Sequence, residues 1–160
     1  MTLVDFTKTS DISNWSIVND AVMGGVSEGN FSLNENGHGV FKGTVRLENN
    51  GGFSSIRYAI GKTIISGKTT VIIRLKGDGK TYQFRVKENS DDRHSYVSKF
   101  KTSGNWETIE IPLNTLYPRF RGKILDIENF SANQIEELGF LIGNKKKETF
   151  RLELDCIELK

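Results

Sequence analysis

The chain has 160 residues and a mass of 18.0 kDa, with 36% hydrophobic, 26% charged and 10% aromatic residues. That suits one globular domain, 1–160, with a single core, and excludes a disordered chain. Lys and Arg total 22 against 20 Asp and Glu, a net +2, which is too near balance for a non-specific nucleic-acid binder, so a basic site has to be local.

In chain order, Met1–Lys8 carries no basic stretch leading into an apolar one, and no apolar run approaches the roughly 18 residues of a membrane span. There is no Arg-rich amphipathic leader either, so the expected setting is the cytoplasm, and a bacterial one. After Trp15 come two glycine-centred runs, Asp20-Ala21-Val22-Met23-Gly24-Gly25-Val26-Ser27 and Asn49-Asn50-Gly51-Gly52-Phe53-Ser54-Ser55-Ile56-Arg57. Each sets a Gly-Gly pair before a strand-like segment, where φ > 0 and close backbone approach are open to it. On spacing alone these are tight turns into strands. Asp20 and Arg57 bracket the two runs, and one reading pairs them across neighbouring strands, with Asn49 and Asn50 bonding the turn through their side chains. The other reading makes Asp20, Met23, Asn50 and Arg57 the border of a shallow pocket that receives a polar or anionic group from a partner.

Beyond these runs the apolar residues alternate. Phe41, Gly43, Val45 and Leu47 share a face, as do Tyr82, Phe84 and Val86, and Ile109, Ile111 and Leu113, so these segments read as half-buried strands. Phe41, Val45, Phe84, Val86, Ile109, Ile111, Leu152 and Leu154 are the expected core. Gly77-Asp78-Gly79-Lys80 reads as a type I′ hairpin joining Thr70–Lys76 to Thr81–Lys87. Only Leu113–Tyr117 and Ser131–Glu137 suggest helix, a turn or two each, with capping-box spacing between Ser131 and Gln134. Cys156, the single cysteine, falls in phase with Phe150, Leu152 and Leu154 and reads as a small buried hydrophobe. Many short strands and few helices make an all-β, two-sheet antiparallel sandwich or barrel. The opposite phase carries cations: Lys42 and Arg46, Arg74 and Lys76, Arg85 and Lys87. These are either the wet face of a sheet or, if strand order gathers them, a basic surface for an anion, in which Arg74 and Arg85 are candidate contacts.

Catalytic motifs fail on inspection. Gly61-Lys62-Thr63-Ile64-Ile65-Ser66-Gly67-Lys68-Thr69 has five residues between its glycines where a phosphate-binding P-loop has four, and it runs into a strand-like segment. His38 and His94 have no partner at metal-ligand spacing, and Asp91-Asp92 reads as a solvated loop. No serine sits in a Gly-x-Ser-x-Gly elbow. The expectation is a protein without catalysis, metal or cofactor.

Trp15, the two Gly-Gly runs, Phe41-Lys42-Gly43, Trp106-Glu107-Thr108-Ile109-Glu110-Ile111-Pro112-Leu113, Arg121-Gly122, Leu138-Gly139-Phe140-Leu141 and the closing Phe150–Ile157 segment together resemble the thirty-kilodalton complex I intermediate-associated proteins. The resemblance spans nearly the whole chain. It implies a galactose-binding-like β-sandwich of jelly-roll type and a non-catalytic binding or assembly-factor role with a protein partner. The alternative suggested through the fold is a carbohydrate-binding module for a sugar or anionic small ligand. Few aromatic side chains are available for a sugar platform, and Trp106, at the start of an amphipathic strand, is expected to pack.

Overall fold

Period-two alternation becomes fifteen strands and three single turns of 3-10 helix. The computed structural model describes residues 1–160, except the side chains of Val22 and Met23. The strands are β1 (Thr2–Asp5), β2 (Trp15–Asn19), β3 (Glu28–Leu33), β4 (Gly39–Val45), β5 (Ser54–Tyr58), β6 (Thr63–Ile64), β7 (Thr70–Lys76) and β8 (Thr81–Lys87). They continue with β9 (Ser95–Lys101), β10 (Trp106–Pro112), β11 (Tyr117–Phe120), β12 (Lys123–Ile124), β13 (Gln134–Ile135), β14 (Glu137–Ile142) and β15 (Glu148–Leu159).

Two antiparallel sheets form the sandwich. One has six strands in the order β10-β7-β15-β4-β3, with β1 also on β15. The other has seven in the order β12-β11-β9-β8-β14-β5-β2, and β6 pairs with β13 apart from both. The fold is therefore an all-β jelly-roll sandwich. Strands adjacent in sequence mostly alternate between sheets, as in Greek-key connections.

The inner faces meet on aromatic and branched side chains. Phe41 packs on Phe150 (4.7 Å between ring centroids) within the six-stranded sheet, and Phe84 on Phe140 (5.5 Å) within the seven-stranded one. Each such ring taken out of water contributes about 1.5–3 kcal/mol. At the side where β2 and β3 approach, Trp15 stacks on Tyr58 (4.7 Å, 5° between planes) and leans on Phe31 (4.9 Å) and Phe6 (5.5 Å). Of the expected core, Phe41, Val45, Phe84, Val86, Ile111, Leu152 and Leu154 are buried. Ile109 is only half-buried, because β10 is the edge of its sheet.

Three local expectations need correction. Gly77–Lys80 is no hairpin: β7 and β8 lie in different sheets, so the turn is a crossover at the end of the sandwich. Only Gly79 takes a positive φ, +84°, where a type I′ turn needs two such residues. A side chain at Gly77 would collide with Thr102, and Asp78 ties the sheets together by accepting from Tyr82 Oη (3.0 Å) and the Arg151 amide (2.8 Å). Ser131–Glu137 is not helical either. Gln134–Ile135 forms β13, the Gln134 amide nitrogen donates to Glu88 O and Asn89 Oδ1, and Ser131 Oγ bonds Glu128 instead of capping. Leu113–Thr115 is the one expected turn that forms. Finally, the register of β15 against β7 shifts between Leu154 and Cys156. This bulge turns Cys156 to the outer face opposite Arg74, half-exposed, while Ile157 and Leu159 are buried.

Candidate functional site

The two Gly-Gly runs do meet, on Asp20. Its carboxylate is shielded from solvent and accepts from the amides of Gly52 (2.6 Å), Phe53 (3.3 Å) and Ser27 (3.0 Å) and from Ser27 Oγ (2.5 Å). The Asp20 amide returns a bond to Phe53 O (3.2 Å). Burial works against its ionisation, but the bonds from Ser27 and from the Gly52 and Phe53 amides outweigh it and hold the carboxyl below its ordinary value of 3.8. The four glycines divide the labour. Gly24 (φ +86°) and Gly52 (φ +147°) supply backbone that side chains strain, whereas a Cβ at Gly25 or Gly51 would run into the Asp20 carboxylate.

The expected Asp20–Arg57 pair is absent. None of the ion pairs among the described residues involves either group, because backbone amides already fill the carboxylate. Asn49 and Asn50 act through φ values of +58° and +59°, a conformation asparagine tolerates, and no side-chain bond holds the turn among the described residues. Asn50 is exposed beside the junction, and the Met23 side chain lies outside the described residues.

Arg57 sits elsewhere, on the outer face of the seven-stranded sheet. Gly139 of β14 is in register with Arg57 of β5 on one side and Arg85 of β8 on the other. Two strand spacings put their Cα atoms about 10 Å apart, with no side chain between, since a Cβ at Gly139 would strike the Ile56 carbonyl. From β9 and β11 come Ser95, in register with Arg119, and Val97, in register with both Arg85 and Tyr117. Val97 points outward yet is fully covered, and Ser55, Gln83 and Ser95 are also buried, so this face is recessed. Ser55, Arg57, Arg85, Ser95, Glu137 and Gly139 line a narrow slot of about 10 Å³, room for roughly one water.

The slot is cationic. Burial, followed by Arg57 and then Arg119, brings the Arg85 guanidinium down to about 10, against a weaker opposing pull from Glu137. Arg85 Nη1 donates to Gln83 Oε1 (2.9 Å) and Arg119 Nη2 to Gly122 O (3.2 Å), but Arg119 Nε is buried without an acceptor. No ion pair among the described residues uses any of the three arginines.

Arg74 belongs to the opposite face, on the six-stranded sheet, so the outward cations form two surfaces rather than one patch. There its guanidinium lies 5.5 Å from the Trp106 ring centre and 3.8 Å from Asp155. Trp106 packs, as expected, but on outer-face neighbours: His38 leans on it at 4.7 Å. His38 Nδ1 in turn meets Glu153 Oε2 (2.7 Å), which also accepts from Asn34, while Arg151 donates to Glu153 Oε1. Among the described residues no group of three or more His, Cys, Asp or Glu could hold a metal ion, and no described helix is long and apolar enough to cross a membrane. Sequence reasoning brought out Arg57 and Arg85 but missed Arg119, Ser95, Glu137 and Gly139 as their neighbours. Reading Leu113–Tyr117 as helix hid the strand phase of Tyr117 and Arg119.

A two-sheet jelly-roll sandwich defines the class: a galactose-binding-like fold. The chain belongs to the complex I intermediate-associated protein 30 (CIA30) family, whose model matches residues 4–154. It is similar in structure to the family 11 carbohydrate-binding module from Clostridium thermocellum in complex with a β-1,3-1,4-mixed-linked tetrasaccharide (TM-score 0.71, 18% identity, 99% of this chain and 94% of that one). The family 11 module of the cellulosomal cellulase Lic26A-Cel5E of Clostridium thermocellum matches comparably (TM-score 0.71, 18% identity, 99% and 92%). TmCBM61 in complex with β-1,4-galactotriose is more distant (TM-score 0.52, 11% identity, 100% and 98%). At these identities the likeness is one of fold.

Proposed function

We propose that the chain is a non-catalytic binding module of the assembly-factor kind, whose receiving surface is the outer face of the seven-stranded sheet and whose partner is a protein presenting an acidic segment. The observation that carries this reading is the convergence of Arg57, Arg85 and Arg119 on one recessed face, with Glu137 as the only carboxylate lining the slot. Guanidiniums held close together with fewer counter-charges than cations are costly in the free protein and are relieved by an incoming anion. The family name, complex I intermediate-associated protein, supports a protein partner.

Capture of partners from the native cell by the wild-type chain, by Arg57→Glu/Arg85→Glu and by Arg74→Glu tests it. The first variant should lose the acidic partner and the last keep it. Retention by both would remove the seven-stranded face from consideration.

A second reading, carbohydrate binding, is favoured by a different feature. A cavity of about 350 Å³ opens where the two sheets' edges meet and is lined by Asn19, Glu28, Gly29, Asn30, Gly43 and Thr44. Its size falls within the range of small-ligand sites, and amides, a carboxylate and a hydroxyl suit the hydroxyls of a neutral sugar. Titration with cellotetraose should shift the backbone amides of Gly29 and Gly43, and an unchanged spectrum would set this reading aside.

A further inference from the structure

We propose that the slot between Arg57 and Arg85 is a phosphate-monoester site: the group it receives is a dianion rather than a carboxylate. This rests on the reading of the same face as the receiving surface and sharpens it to one chemistry.

Three features point to a dianion. First, the charge balance: Arg57 and Arg85 line the slot and Arg119 acts on Arg85 from beside it, against one carboxylate, Glu137, leaving two positive charges of the group unmatched. A carboxylate would neutralise one of them; a phosphate monoester, with about two negative charges above its second pKa of about 6, neutralises both. Second, donor placement: Arg57 and Arg85 approach from strands on either side of bare Gly139, and Arg119 lies on the far side of Arg85, beyond Ser95 of β9. Arg119 Nε is buried with no acceptor, and Ser95 lines the slot. A planar carboxylate offers two oxygens, whereas a tetrahedral phosphate offers three besides the ester oxygen, so one can enter the slot while the others accept from guanidiniums along the row. Third, size: the slot has room for about one water-sized atom, so a single anionic oxygen enters between Arg57 and Arg85 and the rest of the ester stays at the mouth.

The ester can be carried by a phosphorylated protein segment or by a sugar phosphate, and the experiment separates the two. O-phospho-L-serine, a phosphoserine hexapeptide and glucose 6-phosphate are titrated into the full chain, with glutamate and glucose as controls. The backbone amide of Gly139 and the Nε–Hε signals of the three arginines are followed by NMR. The phosphate esters should perturb these signals and bind at least tenfold more tightly than glutamate at pH 7. Their affinity should fall about tenfold from pH 7 to pH 5, because the dianion fraction falls by that factor one unit either side of a pKa near 6. Arg85→Lys keeps the charge but loses the forked donor and should weaken binding at least fivefold. Ser95→Ala, which leaves the arginines in place, should weaken it measurably should the lysine variant not fold, and Arg74→Ala should leave it unchanged.

Tighter binding of the phosphopeptide than of the amino acid identifies a protein source, and tighter binding of glucose 6-phosphate identifies a sugar source; either supports the site. Glutamate binding as tightly as phosphoserine, or affinity indifferent to pH between 5 and 7, overturns it. An octaglutamate peptide separates this inference from the broader one. If octaglutamate binding depends on the arginines while phosphate shows no preference, the dianion site fails and the receiving face stands; if neither binds, both fail.

Discussion

Asp20 serves as an acceptor for two backbone turns, and its replacement should be felt as lost hydrogen bonds rather than as a broken ion pair. Asp20→Ala leaves the Gly52, Phe53 and Ser27 amides without their acceptor in a shielded place. At about 1–3 kcal/mol for an unsatisfied buried group, and with some relaxation of the loops, a total loss near 3 kcal/mol is expected in urea unfolding. Since its folded pKa lies below 3.8, Asp20 contributes stability that is fully present above that value and lost as the pH falls through the depressed one. Wild type should therefore lose stability on acidification below about pH 4, and Asp20→Asn should flatten that part of the profile. An unchanged acid limb in the variant would remove Asp20 as its source. Arg85 is the opposite case. Burial and two like-charged neighbours bring it down to about 10, so its charge opposes folding at neutral pH. Arg85→Met keeps an unbranched apolar stem and removes the charge; Tm at low salt should rise by a few degrees while anion binding is lost. A fall in Tm would mean that the bond to Gln83 outweighs the repulsion.

At the scale of single strands, β14 shows how a missing side chain makes a site. Gly139→Ala sets a methyl against the Ile56 carbonyl, so β5 has to move off β14 at a cost of about 1–3 kcal/mol. The same shift disturbs the register of Arg57 against Arg85. Thermal unfolding and the phosphate-ester titration should both suffer, and a fully stable variant with wild-type binding would show that the slot does not need bare backbone. Such elements were unevenly legible in the sequence. The alternation in Phe41–Val45, Tyr82–Val86 and Leu152–Leu154 reports burial directly, because side chains on a strand alternate between core and water. Neither the crossover at Gly77–Lys80 nor the grouping of Arg57, Arg85 and Arg119 could be read this way. Both depend on which sheet a strand joins, and that is settled by long-range pairing. The junction was half legible: paired glycines announced a special backbone, but nothing local said that Asp20 would fill it.

Across the whole molecule, most sheet neighbours are distant in sequence: β15 pairs with β4, β7 and β1, and β5 lies between β2 and β14. Loop closure must precede such contacts, so folding on the millisecond-to-second scale is expected, well behind helical domains of this size. Phe84, fully buried against Phe140 at 5.5 Å, sits where the sheets meet, and Phe84→Ala should cost about 3–5 kcal/mol in equilibrium unfolding. Near-wild-type stability would mean that the core closes over the gap. The sandwich also separates its two cationic surfaces. Arg74, against Trp106 and Asp155, and the arginine slot lie back to back across the core, beyond the reach of one small ligand.

The shift in β15 at Asp155 can be seen as a correction of reading frame. Phe150, Leu152 and Leu154 occupy even-numbered core positions, whereas Ile157 and Leu159 occupy odd ones. The strand therefore carries two sequences written in opposite phase, and a single inserted residue lets both deliver their apolar side chains to one interior. Deleting Asp155 removes the insertion and leaves Leu154, Ile157 and Leu159 in one unbroken alternation against Leu75, Ile73 and Val71. What goes is the bulge and the bond from the Phe6 amide to Asp155 O (3.0 Å). A modest loss of stability is therefore expected, with the thiol reactivity of Cys156, half-exposed in the native chain, unchanged. A Cys156 that becomes protected would show that the strand had slipped instead of closing in register.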